Sequence, residues 1–380
     1  MSEYPLPSIS PSPCRVSFVV TTRNDDHGGN MIKRTSIFVE GLLQLANKHR
    51  LSGELIIVEW NPVPGPRLRD LLRLHTQTDC FPIRFIEVPP EIHTAFRNSD
   101  IIPLFQMIAK NVAIRRANGE FILATNPDLL FSDDLIAFLA SGKLDRDVLY
   151  RIDRYDVEAE APEEVSVEHQ LAWCDRHLLR VHRKYGSIDL RVSRLERFAR
   201  RLRGWYGKHR GRRAKAVVRS ARHFARSSLR ALAKLFDPNI HTNGCGDFTL
   251  MAREHWLSLR GYPELPIWSM HVDSLLCYMA VSSGLREVVL RPPMKIFHLE
   301  HGKSWVAMSC EDRLRTFAVK PWIDIWLLEE IRWEMEQSKA PIRYNTDQWG
   351  LGQIELEEHV LGSMATGKEE PAMLPSGVRR

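Results

Sequence analysis

Ala109–Leu135 reads AKNVAIRRANGEFILATNPDLLFSDDL. Its pattern changes three times within these residues. Phe105–Ala117 places apolar residues at helical spacing, and Gly119 ends the run. Glu120–Thr125, EFILAT, is short and apolar and predicts a buried strand. The polar cluster Asn126-Pro127-Asp128 follows, and Asp133–Ala140 then predicts a second helix. Helix, strand, polar strand end and helix in this order is a unit of an α/β fold.

The same alternation extends in both directions. Arg15–Thr22, Glu54–Trp60, Ile83–Val88 and Val148–Ile152 predict further strands, and Met31–His49 a helix. Strands alternating with helices imply a single Rossmann-like domain with a mainly parallel sheet, whose ligands lie beyond the carboxyl ends of the strands. Later in the chain, Gly246–Met251, Glu287–Leu290 and Lys295–His298 predict strands. Glu254–Leu259, His271–Ser283 and Pro321–Glu336 predict helices. The expected organisation is a tail over 1–14, one domain over 15–335 and an extension over 336–380, disordered from about Thr366.

Composition narrows the class. With 44% apolar and 26% charged residues the 380-residue chain is an ordinary globular protein. No apolar run approaches the roughly 20 residues of a membrane span, and the Pro-rich start lacks a leader pattern, so a cytoplasmic location is expected. Six scattered cysteines without CxxC spacing argue against a disulfide framework or a zinc ribbon.

The net charge of +6 hides an asymmetry. Arg176–Leu235 carries 20 Lys/Arg against 2 acids, a local +18, and the remainder is −12. A basic helical insertion over 176–236 is therefore expected, with two amphipathic helices between Val192 and Leu232. Such helices suit an anionic membrane surface, placing the protein peripherally on the inner face of the cell membrane. They also suit a nucleic-acid backbone or a solvated helix pair, but no nucleic-acid reader motif is present.

Three polar clusters follow predicted strands: Thr21-Thr22-Arg23, Glu59, and Asn126-Pro127-Asp128. A parallel sheet brings such positions to one edge, where a nucleotide can bind. VVTTRN, IIVEW and the opening stretch together resemble inverting GT-A glycosyltransferases of the family 2 type. Lys110-Asn111 and Ala117-Asn118-Gly119-Glu120 match that family's helix and its exit, and Asn126-Pro127-Asp128 stands at its D-x-D. The second half is similar to the β-1,4-galactosyltransferase family in Gly261-Tyr262-Pro263-Glu264, in Trp268–Asp273 and in Met294–His298.

The resemblance implies transfer of a hexose from a nucleoside-diphosphate sugar to a glycan or lipid-linked glycan, in surface or exopolysaccharide synthesis. It implies inversion and a divalent cation, Mn2+ or Mg2+, held by Asp128 and His298, with His301 as the substitute ligand. Thr21, Thr22, Arg23, Glu59, Lys110, Asn111 and Asn126 become donor-site residues. Asp273 becomes the general base, with Asp247 as second candidate. Each role has a plainer reading: a core histidine at 298, and a helix-dipole partner at 273. Among the large aromatics, Trp268 is expected to contact the acceptor and Trp256 to be core, while Trp305 is open. Asn126 in place of an acid, and His271, leave room for a catalytically silent sugar-nucleotide-binding protein; the arginines leave room for a nucleic-acid-binding one.

Overall fold

The computed structural model describes residues 14–76, 81–192, 240–302 and 308–361. The expectations for the N-terminal tail, for nearly all of the basic helices between Val192 and Leu232, for Trp305 and for the chain beyond Thr366 lie outside these residues.

The fold is α/β with a large, mainly parallel sheet. Its strands are β1 (Val16–Thr22), β2 (Gly53–Trp60), β3 (Ile83–Val88), β4 (Phe121–Thr125), β6 (Val148–Ile152), β10 (Phe248–Ala252), β11 (Arg286–Leu290) and β13 (Glu358–Leu361). They lie in the order β11-β6-β10-β4-β1-β2-β3-β13. β10 and β13 run antiparallel to their neighbours and the other pairs are parallel.

The alternation within β1 separates two cores. Phe18 and Val20 pack with Phe38 and Leu42 of the helix Met31–His49. Val19 packs with Ile108 and Val112 of the helix Gln106–Arg116 on the opposite face. Residues buried on both faces explain why β1, β2 and β4 read as continuous apolar runs rather than alternating ones.

A second sheet was not foreseen. β5 (Leu129–Phe131), β7 (Arg154–Val157), β8 (Leu178–Arg183), β9 (Gly186–Asp189) and β12 (Ile296–Leu299) form it in the order β5-β12-β7-β8-β9. This corrects the start of the expected helical insertion: within 176–236, the hairpin β8–β9 comes first. Arg180 and His182 turn inward on β8 to meet the buried Asp156, so the strand looked like part of a basic run. The helix Val167–Arg176 was also missed.

The boundary drawn at residue 335 is corrected as well. Trp349 is buried in the core, and β13 is hydrogen-bonded to β3 at the edge of the large sheet. Arg115 and Arg116, at the end of the helix Gln106–Arg116, hold the returning chain by donating to the carbonyls of Asp347, Trp349, Gly350, Leu351 and Ile354. The late Trp-rich helix runs from Ile325 to Ser338, because the Asp324 carboxylate accepts the amides of Trp326 and Leu327 and sets its start there.

Candidate functional site

The strand order β3-β2-β1-β4 reverses direction between β1 and β4, and crevices of this kind form at the carboxyl ends of such a pair. A cavity of about 330 Å3 lies there. Thr21, Thr22 and Arg23 reach it from the end of β1, and Asn126 and Asp128 from the end of β4. Because β10 is antiparallel to β4, Asp247 just before β10 arrives at the same edge. Arg154, at the start of β7, and His298, on β12, enter from the second sheet. A larger cavity of about 800 Å3 flanks the helix Met31–His49, between Lys33, Glu40 and Gln170. It is away from the strand edge and draws in none of these groups.

Asp128, His298 and His301 can hold a metal ion. One ligand atom from each lies within 4.8 Å of the others. His298 Nε2 is 3.6 Å and His301 Nε2 3.5 Å from Asp128 Oδ2. Asp128 Oδ1 is buried without a hydrogen-bond partner, as expected where a donor atom awaits a cation. Two imidazoles and a carboxylate form a mixed nitrogen and oxygen set, which suits a first-row transition cation better than Mg2+, a cation that prefers oxygen donors.

The electrostatics of the three differ. Burial alone would raise the Asp128 carboxyl, but His298 and His301 hold it well below the usual carboxylate range. Burial and Arg154 oppose a charged His298, yet Asp128 and Asp156 outweigh them and push it up to about 10. Burial pulls His301 down to about 4, leaving its ring neutral at physiological pH. Gly28 makes room for that ring: a Cβ there would lie 2.5 Å from His301 Nδ1, and its φ of +77° suits glycine.

Asn126 is engaged at both ends. Its amide donates to Asp247 Oδ1 at 2.6 Å, and its oxygen accepts from Gln106 at 2.9 Å. Arg154 takes the other oxygen of Asp247 at 2.6 Å. Both Asp247 oxygens are thus occupied, which suits holding groups in place rather than exchanging protons.

Lys110 is fully buried and donates to the Gly246 carbonyl at 2.7 Å. Burial lowers its pKa to about 8, and Asp247, Asp273 and Asp128 pull the other way. Asp273 stands at the start of the helix Val272–Ser282, where its Oδ1 accepts the Ser274 amide. It is not among the residues lining the cavity but lies behind Gly246. A Cβ at Gly246 would sit 3.0 Å from Asp273 Oδ2, so glycine lets that oxygen pack close to the backbone.

Two expected donor-site residues have structural positions instead. The Glu59 carboxylate accepts the Leu68 amide with both oxygens and caps the short helix Leu68–Leu71, and burial raises its pKa. Asn111 clamps the Gly261–Glu264 turn, accepting the Tyr262 amide and donating to the Tyr262 carbonyl and the Glu264 carboxylate. Trp268 and Lys320 are among the residues lining the cavity, whereas Trp256 is fully buried, with its indole N–H on the Ile122 carbonyl.

Sequence reading missed Arg34, Arg154 and Asp156. Arg34 is buried on the first turn of the helix Met31–His49 and donates to the carbonyls of His27 and Gly29, pinning the loop over His301. Arg154 and Asp156 had one visible signal, the alternation of charged and apolar residues in Arg154–Val157, which marks a strand with one polar face.

No protein-family model and no curated protein matches the chain. Among solved structures, it is similar to GalNAc-T7 with UDP, GalNAc and Mn2+, at 12% identity and a TM-score of 0.40. That similarity covers 90% of this chain and 54% of the other, so the chain spans about half of that protein's length. At this identity and score the likeness assigns neither chemistry nor substrate.

Proposed function

We propose that this chain is a glycosyltransferase that moves a hexose from a nucleoside-diphosphate sugar to a glycan or lipid-linked glycan. The observation that carries the reading is the convergence of Asp128, His298 and His301 at the reversal between β1 and β4. When bound by these three, Mn2+ or Mg2+ supplies positive charge against the departing diphosphate. Thr21, Thr22 and Arg23 line the wall available to the nucleoside, and Asp247 holds sugar hydroxyls. Asp273, packed against Gly246 and not lining the cavity, takes the acceptor hydroxyl proton once the acceptor enters. The acceptor oxygen then bonds to the anomeric carbon as its bond to phosphate breaks, inverting the centre; the proton ends on Asp273.

Calorimetry with a nucleoside diphosphate and Mn2+ tests the site. Asp128→Ala is expected to abolish metal-dependent binding; unchanged affinity would sink the metal assignment. Asp273→Asn is expected to lower turnover by about 10²–10⁴-fold with donor affinity nearly intact. Donor binding without transfer or donor hydrolysis in the wild type would favour a silent binding protein, a reading consistent with the engaged Asn126. The acceptor class, a role in surface polysaccharide synthesis and contact with the inner membrane face belong to the same proposal. Among the described residues, no helix is long and apolar enough to cross a membrane.

A further inference from the structure

We infer that Asp156 is a positioning residue that aims His298 at the cation site and, through Arg154, fixes Asp247 beside it. The inference rests on the metal reading above. Its basis is the register of the second sheet. His298 on β12 is paired with Leu129, next to Asp128, on one side and with Asp156 of β7 on the other. Asp156 is paired with Arg180 of β8, and Arg180 with Asp189 of β9. Paired residues in neighbouring strands share a face. His298, Asp156, Arg180 and Asp189 therefore form one row of alternating basic and acidic groups across the sheet.

Asp156 is the centre of this row and is fully buried. Burying a carboxylate costs several kcal/mol unless partners surround it, and here four do. Arg154 Nε is 2.9 Å from Oδ1, and Arg180 Nε and His182 Nε2 are each 2.8 Å from Oδ2. The fourth is His298, whose Nδ1 faces Oδ1 at 3.3 Å while its Nε2 faces Asp128. A histidine ligand presents one nitrogen to a metal, and the partner of the other nitrogen sets the tautomer and the ring plane. Neither Nδ1 has a partner in hydrogen-bond geometry, but that of His298 has the Asp156 carboxylate 3.3 Å away, whereas the His301 ring packs against Gly28.

The second arm of the device is Arg154. Its guanidinium bridges Asp156 and Asp247, at 2.9 and 2.6 Å. One buried carboxylate thus touches the metal ligand directly and, through Arg154, a second acid that lines the cavity. Each arginine also has another carboxylate, Asp247 for Arg154 and Glu300 for Arg180. Asp156→Asn therefore strands neither cation.

The test is a Mn2+ titration of the metal-free protein, read by the electron paramagnetic resonance of free Mn2+, with melting measured in parallel. Asp156→Asn is expected to weaken Mn2+ binding by about 10–100-fold. His182→Gln removes a different partner of Asp156 and is expected to hold affinity within about twofold. An Asp156→Asn protein that melts cooperatively and binds Mn2+ like the wild type overturns the inference and leaves the metal reading standing. Failure of the wild type to bind Mn2+ overturns the metal reading itself. Asp156→Glu retains the charge but displaces the acceptor, and the same weakening is expected. In the wild type loaded with diamagnetic Mg2+, long-range 1H–15N spectra should show His298 protonated on Nδ1. Protonation on Nε2 overturns the inference regardless of how the variants fold.

Discussion

Asn126→Asp would restore the acidic pair that the sequence lacks, and it is expected to harm the protein. Asn126 Nδ2 donates to Asp247 Oδ1 at 2.6 Å, so an aspartate sets two carboxylates against each other. The lost hydrogen bond to a charged group is worth about 1.5–3 kcal/mol. Two unit charges 4 Å apart repel by about 4 kcal/mol at an effective dielectric near 20. Uptake of a shared proton limits the total, leaving a loss of about 3–5 kcal/mol at pH 7.5. That proton raises the folded-state pKa of the pair above its unfolded value. The penalty is therefore full at neutral pH and shrinks as the pH falls through the raised pKa and the pair is protonated. Urea denaturation at pH 7.5 and pH 5 reads both effects, and a Mn2+ titration should show no gain in affinity. Wild-type stability at pH 7.5 combined with tighter Mn2+ binding would refute the account of Asn126.

His298 supplies a pH signature of the metal-free protein. Its folded-state pKa of about 10 lies above the ordinary 6.5, so its stabilisation is fully present below about pH 6.5 and is lost as pH rises towards 10. The urea midpoint should fall over that window, and His298→Gln should remove most of the slope; an identical slope in the variant contradicts the assignment. Gly28→Ala combines a φ of +77° with a Cβ 2.5 Å from His301 Nδ1. It is expected to cost about 1–2 kcal/mol and to weaken Mn2+ binding, measurable by thermal melting and the same titration; wild-type values for both would show that His301 is not held by this contact.

The α/β class, the β1, β2, β3, β4 and β6 strands and the helices Met31–His49 and Gln106–Arg116 were legible in the chain. They are short apolar runs and amphipathic periods set by local spacing, and all but β6, which lies between Asp147 and Asp153, have Asn, Pro or Gly near their ends. Asp128 and Asn126 were legible for the same reason, as polar residues directly after a buried strand. What no local pattern carries is which distant residues share an edge. Glu59 and Asn111 sit in suitable sequence positions, yet one caps a helix and the other clamps a turn 151 residues away. Asp156 and Arg180 look like scattered charges until the β7–β8 and β7–β12 registers put them in one row with His298. A shift of one residue in either pairing would turn those side chains to the opposite face, and pairing register is fixed by long-range packing of whole strands. Local spacing therefore wrote most of the large sheet and its helices into the chain, and the pairing of strands far apart in it built the second sheet and decided which residues became a site.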